Sequence, residues 1–273
     1  MANDHYLQAA LMGRWGSECG KALRYRPICV RMKQSPMPFI TVPDAVAKEK
    51  RLYPDWLEKI WHNYEDNLPR IAATLERGSI ASSDASCLLL HVAALRPRSP
   101  SFLDYLNDHQ QQRGFPAINP TTIALERILS LIATASYAQM WRWRVLRPPK
   151  SETFIINDRG FCEFSDYNRR TGKNWPGHGV FFPLGPTIGI LGFLYRKELY
   201  RQLFKPLDFS ECFTLNPGYT LLLNRHLWEE ADRLIIGRCD DESLLRSIGS
   251  TEEISLEPSG PYRFRRFGFF EDR

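Results

Sequence analysis

The stretch HGVFFPLGPTIGILGFLYRKE, residues 178–198, is the most apolar run of the chain and decides its fold class. A membrane helix needs about 20 apolar residues without interruption, whereas Pro183, Pro186, Gly189 and Gly192 interrupt this run. Its glycines also lack the GxGxxG spacing of a dinucleotide-binding loop. The stretch therefore predicts two buried strands joined by a tight turn, with no membrane as a partner.

Short strands and two helices are predicted around this pair. Turn residues bound the apolar segments ETFIIND and GFCEFSD, which is typical of strands. Apolar residues at helical spacing predict helices over 223–235 and 241–249. The segment PYRFRRFGFF, residues 261–270, alternates aromatic and basic residues and predicts a late edge strand.

The first half of the chain has mostly helical periodicity. Helices are predicted over 4–15, 55–78, 82–96, 99–114 and 119–147, with a strand over 22–32. Pro69 is expected to kink or divide the second of these helices. The expected fold is therefore α+β, with a mainly helical part over 1–150 packed on a mixed or antiparallel sheet over 151–273 with two flanking helices, together forming one compact unit.

Composition indicates an ordinary globular protein. The chain has 273 residues, of which 43% are hydrophobic and 25% charged, enough apolar material for a core. Its six cysteines are scattered without a CxxC pair, which argues against a disulfide scaffold or a zinc ribbon. The N-terminal residues lack the pattern of a secretory signal, so a cytoplasmic location is expected.

Two basic segments have alternative interpretations. The net charge is +5, and basic residues concentrate within 14–33, which either attracts phosphate or forms a solvated face. Trp141 and Trp143 alternate with arginines in WRWR. They either stack on a single nucleic-acid strand or fill a seam between a helix and the sheet.

Asp158 is the strongest candidate for chemistry in the residues themselves. It follows the apolar segment FIIN, so it is expected at a sheet edge, where a carboxylate can bind a metal or act as a base. The alternative is a turn in which Asp158 bonds its own backbone. No GxSxG, HExxH or Walker motif occurs in the sequence.

Several short motifs together resemble one bacterial family. They are HYLQAALMGRW with His5, Tyr6 and Arg14; Glu65 within a helix; Arg98-Ser99-Pro100; Trp143 ahead of FIIND; FFPLGP; and Asn224 at the start of a helix. In this order they resemble the domain of unknown function numbered four-two-three-eight. The chain departs from that pattern in Leu7-Gln8 after His-Tyr, in Arg159-Gly160 after Asp158, and in Gly185 where the family has serine.

The resemblance implies a bacterial phage-defence effector, a toxin-like hydrolase of phosphodiester bonds in nucleic acid or nucleotides. His5 and Asp158 would then be catalytic, with Asp158 the first candidate ligand for a divalent metal. Arg14, Arg98 and Asn224 would bind the substrate.

Two other functions are left open by the sequence. The first is a non-catalytic sensor or binding module, in which Arg98 pairs with Glu65 or Asp158 in a buried network. The second is a nucleic-acid-binding structural protein that uses residues 14–33 and the basic aromatic tail. The sequence sets neither the oligomeric state nor the metal requirement.

Overall fold

The structure, a computed structural model, describes residues 3–17, 20–50, 52–164, 179–193 and 207–249. The segment predicted as an edge strand over 261–270 lies outside these residues. Eight α-helices are found in the described part: α1 Ala9–Met12, α2 Asp55–Glu65, α3 Leu68–Arg77, α4 Ser82–Arg98, α5 Phe102–Gln112, α6 Ile123–Ala138, α7 Tyr219–Glu230 and α8 Glu242–Ser247.

The described strands form two larger sheets and one strand pair. They are β1 Asn3–His5, β2 Ile28–Met32, β3 Phe39–Thr41, β4 Lys48–Lys50, β5 Arg142–Arg147, β6 Ile156–Asn157, β7 Cys162–Phe164, β8 Gly179–Gly185, β9 Ile188–Phe193, β10 Cys212–Thr214 and β11 Leu234–Gly237. The first sheet has the order β10-β5-β9-β8-β7, the second β3-β2-β11-β6, and β1 pairs with β4. Only the β10–β5 pair is parallel among these pairings. The α+β prediction is thus confirmed.

The opening stretch forms the hairpin β8–β9, as predicted. Gly185 pairs with Ile188 across a turn made by Pro186 and Thr187. All residues of both strands are buried. Because successive side chains of a strand point to opposite faces, Phe182 enters the core shared with α3 and α4, whereas Phe181 enters the core shared with α7 and α8. Helices therefore cover both faces of the hairpin.

Strands from both sides of residue 150 share the two larger sheets. In the second sheet β2 and β3 pair with β11 and β6, and in the first sheet β5 pairs with β9. A further apolar cluster joins α2, α4 and α6 through Leu57, Ala93 and Leu131. In the described residues no single helix has the length and hydropathy to cross a membrane, and the bent pair Asp55–Arg77 with Ser82–Arg98 passes that test only when its two arms are combined.

Three predicted helices are wrong in part. The helix predicted over 223–235 ends at Glu230, and Leu234–Gly237 forms strand β11. The helix predicted over 119–147 ends at Ala138, and Arg142–Arg147 forms strand β5. In β5, Trp143 and Val145 are buried in the core of α3 and α4, whereas Arg142 and Arg144 both pair with Glu211, so the period of two belongs to a strand. The helix predicted over 4–15 begins instead as strand β1, which pairs with β4.

Pro69 divides the helix predicted over 55–78, as expected. α2 ends at Glu65, and α3 begins at Leu68 with Pro69 in its first turn. A proline is tolerated there because the first N–H groups of a helix have no intrahelical partner. Gly78 ends α3 with a φ of 156°, a backbone conformation that favours glycine.

Candidate functional site

Arg98 lies at the end of α4, and its side chain makes contacts that hold the fold together. Its side chain is 1% exposed and forms an ion pair with Glu65 at the end of α2. It also donates a hydrogen bond to the main-chain carbonyl of His5, and its guanidinium lies 5.9 Å from the ring centroid of Trp61. Glu65 is one of the two partners predicted for Arg98 in a structural network. A guanidinium engaged in this way ties three elements together.

His5 is the last residue of strand β1 and lies beside Arg98. Its side chain is half-buried, and its Nε2 atom is buried without a hydrogen-bond partner in the described part of the chain. Burial lowers the pKa of His5, because the imidazolium loses hydration, while the charge of Asp44 acts in the opposite direction. His5 therefore favours the neutral imidazole.

Asp158 holds the start of strand β11. Its side chain is buried, and its Oδ1 atom accepts a hydrogen bond from the N–H of Asp232 at 2.9 Å. Its Oδ2 atom accepts from the N–H groups of Arg233 at 2.7 Å and Leu234 at 3.3 Å. Burial and the neighbouring Asp232 raise the pKa of Asp158 to about 6, against the effect of these donors. Asp158 thus bonds another strand's backbone rather than its own turn.

Asn224 and Arg14 also make contacts within the fold. Asn224, buried on α7, accepts a hydrogen bond from the Ile155 N–H at 3.0 Å and donates one to the Thr153 carbonyl at 2.8 Å. This fixes the extended segment before β6 against α7. Arg14 donates to the Pro69 carbonyl at 3.1 Å and pairs with a carboxylate at the end of α3.

Among the described residues, the five predicted site residues are engaged in separate contacts. Arg98 donates to the main-chain carbonyl of His5, while Asp158 and Asn224 bond separate backbone segments. Arg14 borders a polar cavity of about 400 Å³, which Ser17, Arg238 and Asp240 also line. Within the described residues no group of three or more His, Cys, Asp or Glu side chains is placed to hold a metal ion.

Basic side chains considered for phosphate binding contact the ends of helices. Arg31 donates to main-chain carbonyls in the last turn of α8, and Lys33 does so in the last turn of α7. Arg147 and Arg127 make the same contact with α3 and α4. Cations are favourable there because the carbonyl end of a helix carries partial negative charge. Arg31 and Lys33, two of the six basic residues of the segment 14–33, therefore stabilise helix ends.

A separate cavity of about 300 Å³ lies between the first sheet and the helices α4 and α6. We call it the aromatic slot. On the sheet side it is lined by Trp141, Trp143, Phe161, Glu163, Val180 and Phe182, and on the helix side by Val92, Arg96, Ala133, Thr134, Tyr137 and Ala138. The two tryptophans thus fill a seam between helix and sheet, one of the two alternatives for WRWR.

The rings on the sheet side pack against one another and are almost fully buried, since Trp143, Phe182 and Phe161 are each 3–4% exposed. Trp141 and Trp143 have centroids 5.7 Å apart and planes 25° apart. Trp143 and Phe182 follow at 6.1 Å and 43°, and Phe182 and Phe161 at 5.7 Å and 35°. Tyr137 stands at 78° to Trp141 and is 43% exposed. The slot therefore has one broad aromatic wall and one upright ring at its side.

A glycine allows this wall to form. A Cβ atom at Gly192 would lie 2.6 Å from Trp143 and 2.7 Å from Trp141, closer than real side chains approach. Gly192 thus makes room for the two tryptophan rings against strand β9. The signal in the sequence is the pair Trp141 and Trp143, but the strands that place these rings beside Gly192 and Phe182 lie far apart along the chain.

One polar pair lies at the edge of the aromatic slot. Arg96 donates to Glu163 and, at 3.1 Å, to the Tyr105 hydroxyl. The side chains of Arg96 and Glu163 are each 27% exposed. Glu163 follows strand residue Cys162 and is held against the arginine by this contact. The slot thus combines an apolar wall with one charged, partly hydrated edge.

Comparisons with models of protein families, with curated proteins and with solved structures find no match. The resemblance to the bacterial family therefore stays a prediction.

His91 is a buried titratable group away from the slot, within α4. It is 2% exposed, and burial lowers its pKa to about 4. An unfolded chain, with an ordinary pKa near 6.5, binds a proton between these values that the folded chain does not. The stabilising contribution of the neutral His91 is therefore fully present above pH 6.5. As the pH decreases from 6.5 toward 4, this contribution to the free energy of unfolding is lost.

We expect the free energy of unfolding of the wild type to fall by about 2 kcal/mol more than that of His91→Leu between pH 7 and pH 5. Urea unfolding at both pH values measures the difference. Comparing the two proteins cancels the opposite contribution of Asp158, whose raised pKa favours the folded state on acidification. Equal pH dependence in the two proteins would contradict the burial of a neutral imidazole.

Proposed function

We propose that the chain is a non-catalytic binding module, whose aromatic slot takes a planar ligand. The observation that carries the proposal is the slot itself, an apolar cavity of about 300 Å³ lined by aromatic rings. This volume lies at the lower end of the range for small-molecule sites, which are mostly apolar with a few polar groups. An aromatic lining favours a planar aromatic ligand, which it can contact edge to face as well as by offset stacking.

The use of the motif residues supports the same proposal. Arg98 and Asp158 are almost fully buried, and their polar atoms bind a carboxylate and backbone groups of this chain. Asn224 likewise forms its hydrogen bonds with the segment before β6. Residues with these contacts hold the helices and sheets in place and thereby shape the slot. A role in binding substrate would require breaking those contacts.

The phage-defence hydrolase implied by the family resemblance remains a separate prediction. It is tested by incubating the purified chain with RNA, DNA and nucleotides, with and without a divalent metal. Turnover that is lost in Asp158→Asn but kept in a folded Glu211→Gln control would favour the hydrolase over the binding module.

The binding proposal is tested by titrating the folded chain with 2-naphthol, a neutral planar probe, in a calorimeter. We expect saturable binding of one probe per chain, with a negative heat-capacity change because apolar surface is buried. The tryptophan fluorescence should change over the same concentration range, since Trp141 and Trp143 line the slot. No saturable binding up to the solubility limit of the probe would contradict the proposal.

A further inference from the structure

The edge of the aromatic slot offers hydrogen bonds of both kinds. Glu163 accepts from Arg96 through Oε1, and its second carboxylate oxygen has no hydrogen-bond donor among the residues that the structure describes. Arg96 has five N–H groups, of which the contacts with Glu163 and Tyr105 use two. A ligand at this edge thus meets a free acceptor beside further donors.

Arg96 is held in place by rings as well as by charge. Its guanidinium carbon lies 4.7 Å from the ring centroid of Tyr105 and 5.8 Å from that of Phe161. Phe161 also belongs to the aromatic wall. The Arg96 guanidinium therefore lies beside the aromatic lining, so the polar edge of the slot adjoins its apolar wall.

From this arrangement we propose that the ligand is a small fused heteroaromatic ring of the nucleobase type. The ring would lie against the aromatic lining of the slot, in which Tyr137 is the most exposed residue, and a ring N–H or amino group would donate to Glu163. An acceptor on the same edge of the ring would face Arg96. This proposal rests on the proposed function, because it names the ligand class of the same slot.

A cage for a quaternary ammonium group fits the slot less well. Such a cage surrounds the cation with several ring faces, whereas neighbouring rings of the wall differ by 25°, 43° and 35°. Arg96 and Glu163 pair at the same edge, so that the edge carries no net negative charge to attract a cation. Both observations favour a neutral planar ring with donors and acceptors along one side.

The test compares two planar probes on one substitution. 2-Aminopurine presents donors and acceptors at its edge, whereas 2-naphthol has a similar shape with a single hydroxyl group. Glu163→Gln keeps the shape of the side chain and removes the carboxylate. We expect it to weaken the binding of 2-aminopurine about tenfold, the effect of losing one hydrogen bond to a charged group, and to change the binding of 2-naphthol less than about twofold.

Glu211→Gln is the matched control. Glu211 also pairs with arginines, Arg142 and Arg144, but it does not line the slot. This substitution should leave the affinity of both probes unchanged. If 2-naphthol binds the wild type but 2-aminopurine binds no more tightly, or if Glu163→Gln weakens both probes equally, the ligand class is wrong while the binding module stands. If neither probe binds, both proposals fail.

Discussion

Replacing Arg98 by methionine is expected to lower the free energy of unfolding by about 3–5 kcal/mol, because it leaves the buried Glu65 carboxylate without its partner. The substitution also removes the hydrogen bond to the His5 carbonyl, which ties strand β1 to α4. Urea unfolding followed by circular dichroism measures the loss. The variant should remain foldable at low temperature, since methionine fills much of the space of the arginine stem.

The double variant Arg98→Met with Glu65→Leu separates a structural pair from a functional one. Replacing both partners of a buried ion pair by apolar residues is often neutral or stabilising. We therefore expect the double variant to recover most of the stability lost in Arg98→Met. A loss below about 1 kcal/mol in the single variant, within the range of an exposed pair, would contradict the buried network.

Replacing Gly192 by alanine is expected to destabilise the protein by about 1–3 kcal/mol through overpacking. The added Cβ would overlap the rings of Trp143 and Trp141, which are buried and cannot easily move. The binding of 2-naphthol should also weaken, because these rings form part of the wall of the aromatic slot. Thermal unfolding and calorimetric titration measure the two effects on the same sample.

Gly237→Ala is the matched control for this substitution. Gly237 also lies in a buried strand, but a Cβ there would lie 3.3 Å from the methyl groups of Leu245, which can give way. Its effect should stay within about 1 kcal/mol, since alanine is also the better residue in a strand interior. Equal stability of the two variants would contradict the placement of the tryptophan rings on Gly192.

Local patterns in the sequence predicted much of the fold. The β8–β9 hairpin was predictable because its apolar segments and its turn residues are neighbours along the chain. The division of α2 from α3 follows from Pro69 alone. The strand β5 was missed because the apolar periodicity of α6 continues into Trp141 and Trp143, so the change from a helical period to a period of two occupies too few residues to recognise.

The site was less predictable because its contacts are distant in sequence. Nothing near Asp158 indicates that its donors would be the N–H groups of Asp232 and Arg233. The pairing of Arg98 with Glu65 was anticipated only as one of two alternatives. The aromatic slot depends on α6 lying over β5 and β8, a tertiary arrangement that a sequence pattern does not specify.

The most direct test of the binding module compares two neighbouring residues of the opening stretch. Phe182 lines the aromatic slot. Phe181 points to the opposite face of the sheet, where its ring centroid lies 5.0 Å from that of Phe154. Both are buried, so Phe182→Leu and Phe181→Leu should lose similar stability.

The decisive measurement is the dissociation constant of 2-naphthol for each variant. The account predicts that it rises about three- to tenfold in Phe182→Leu, the worth of one aromatic contact, and stays within about twofold of the wild type in Phe181→Leu. An equal change in both variants, or none in Phe182→Leu, would contradict a binding site in the aromatic slot.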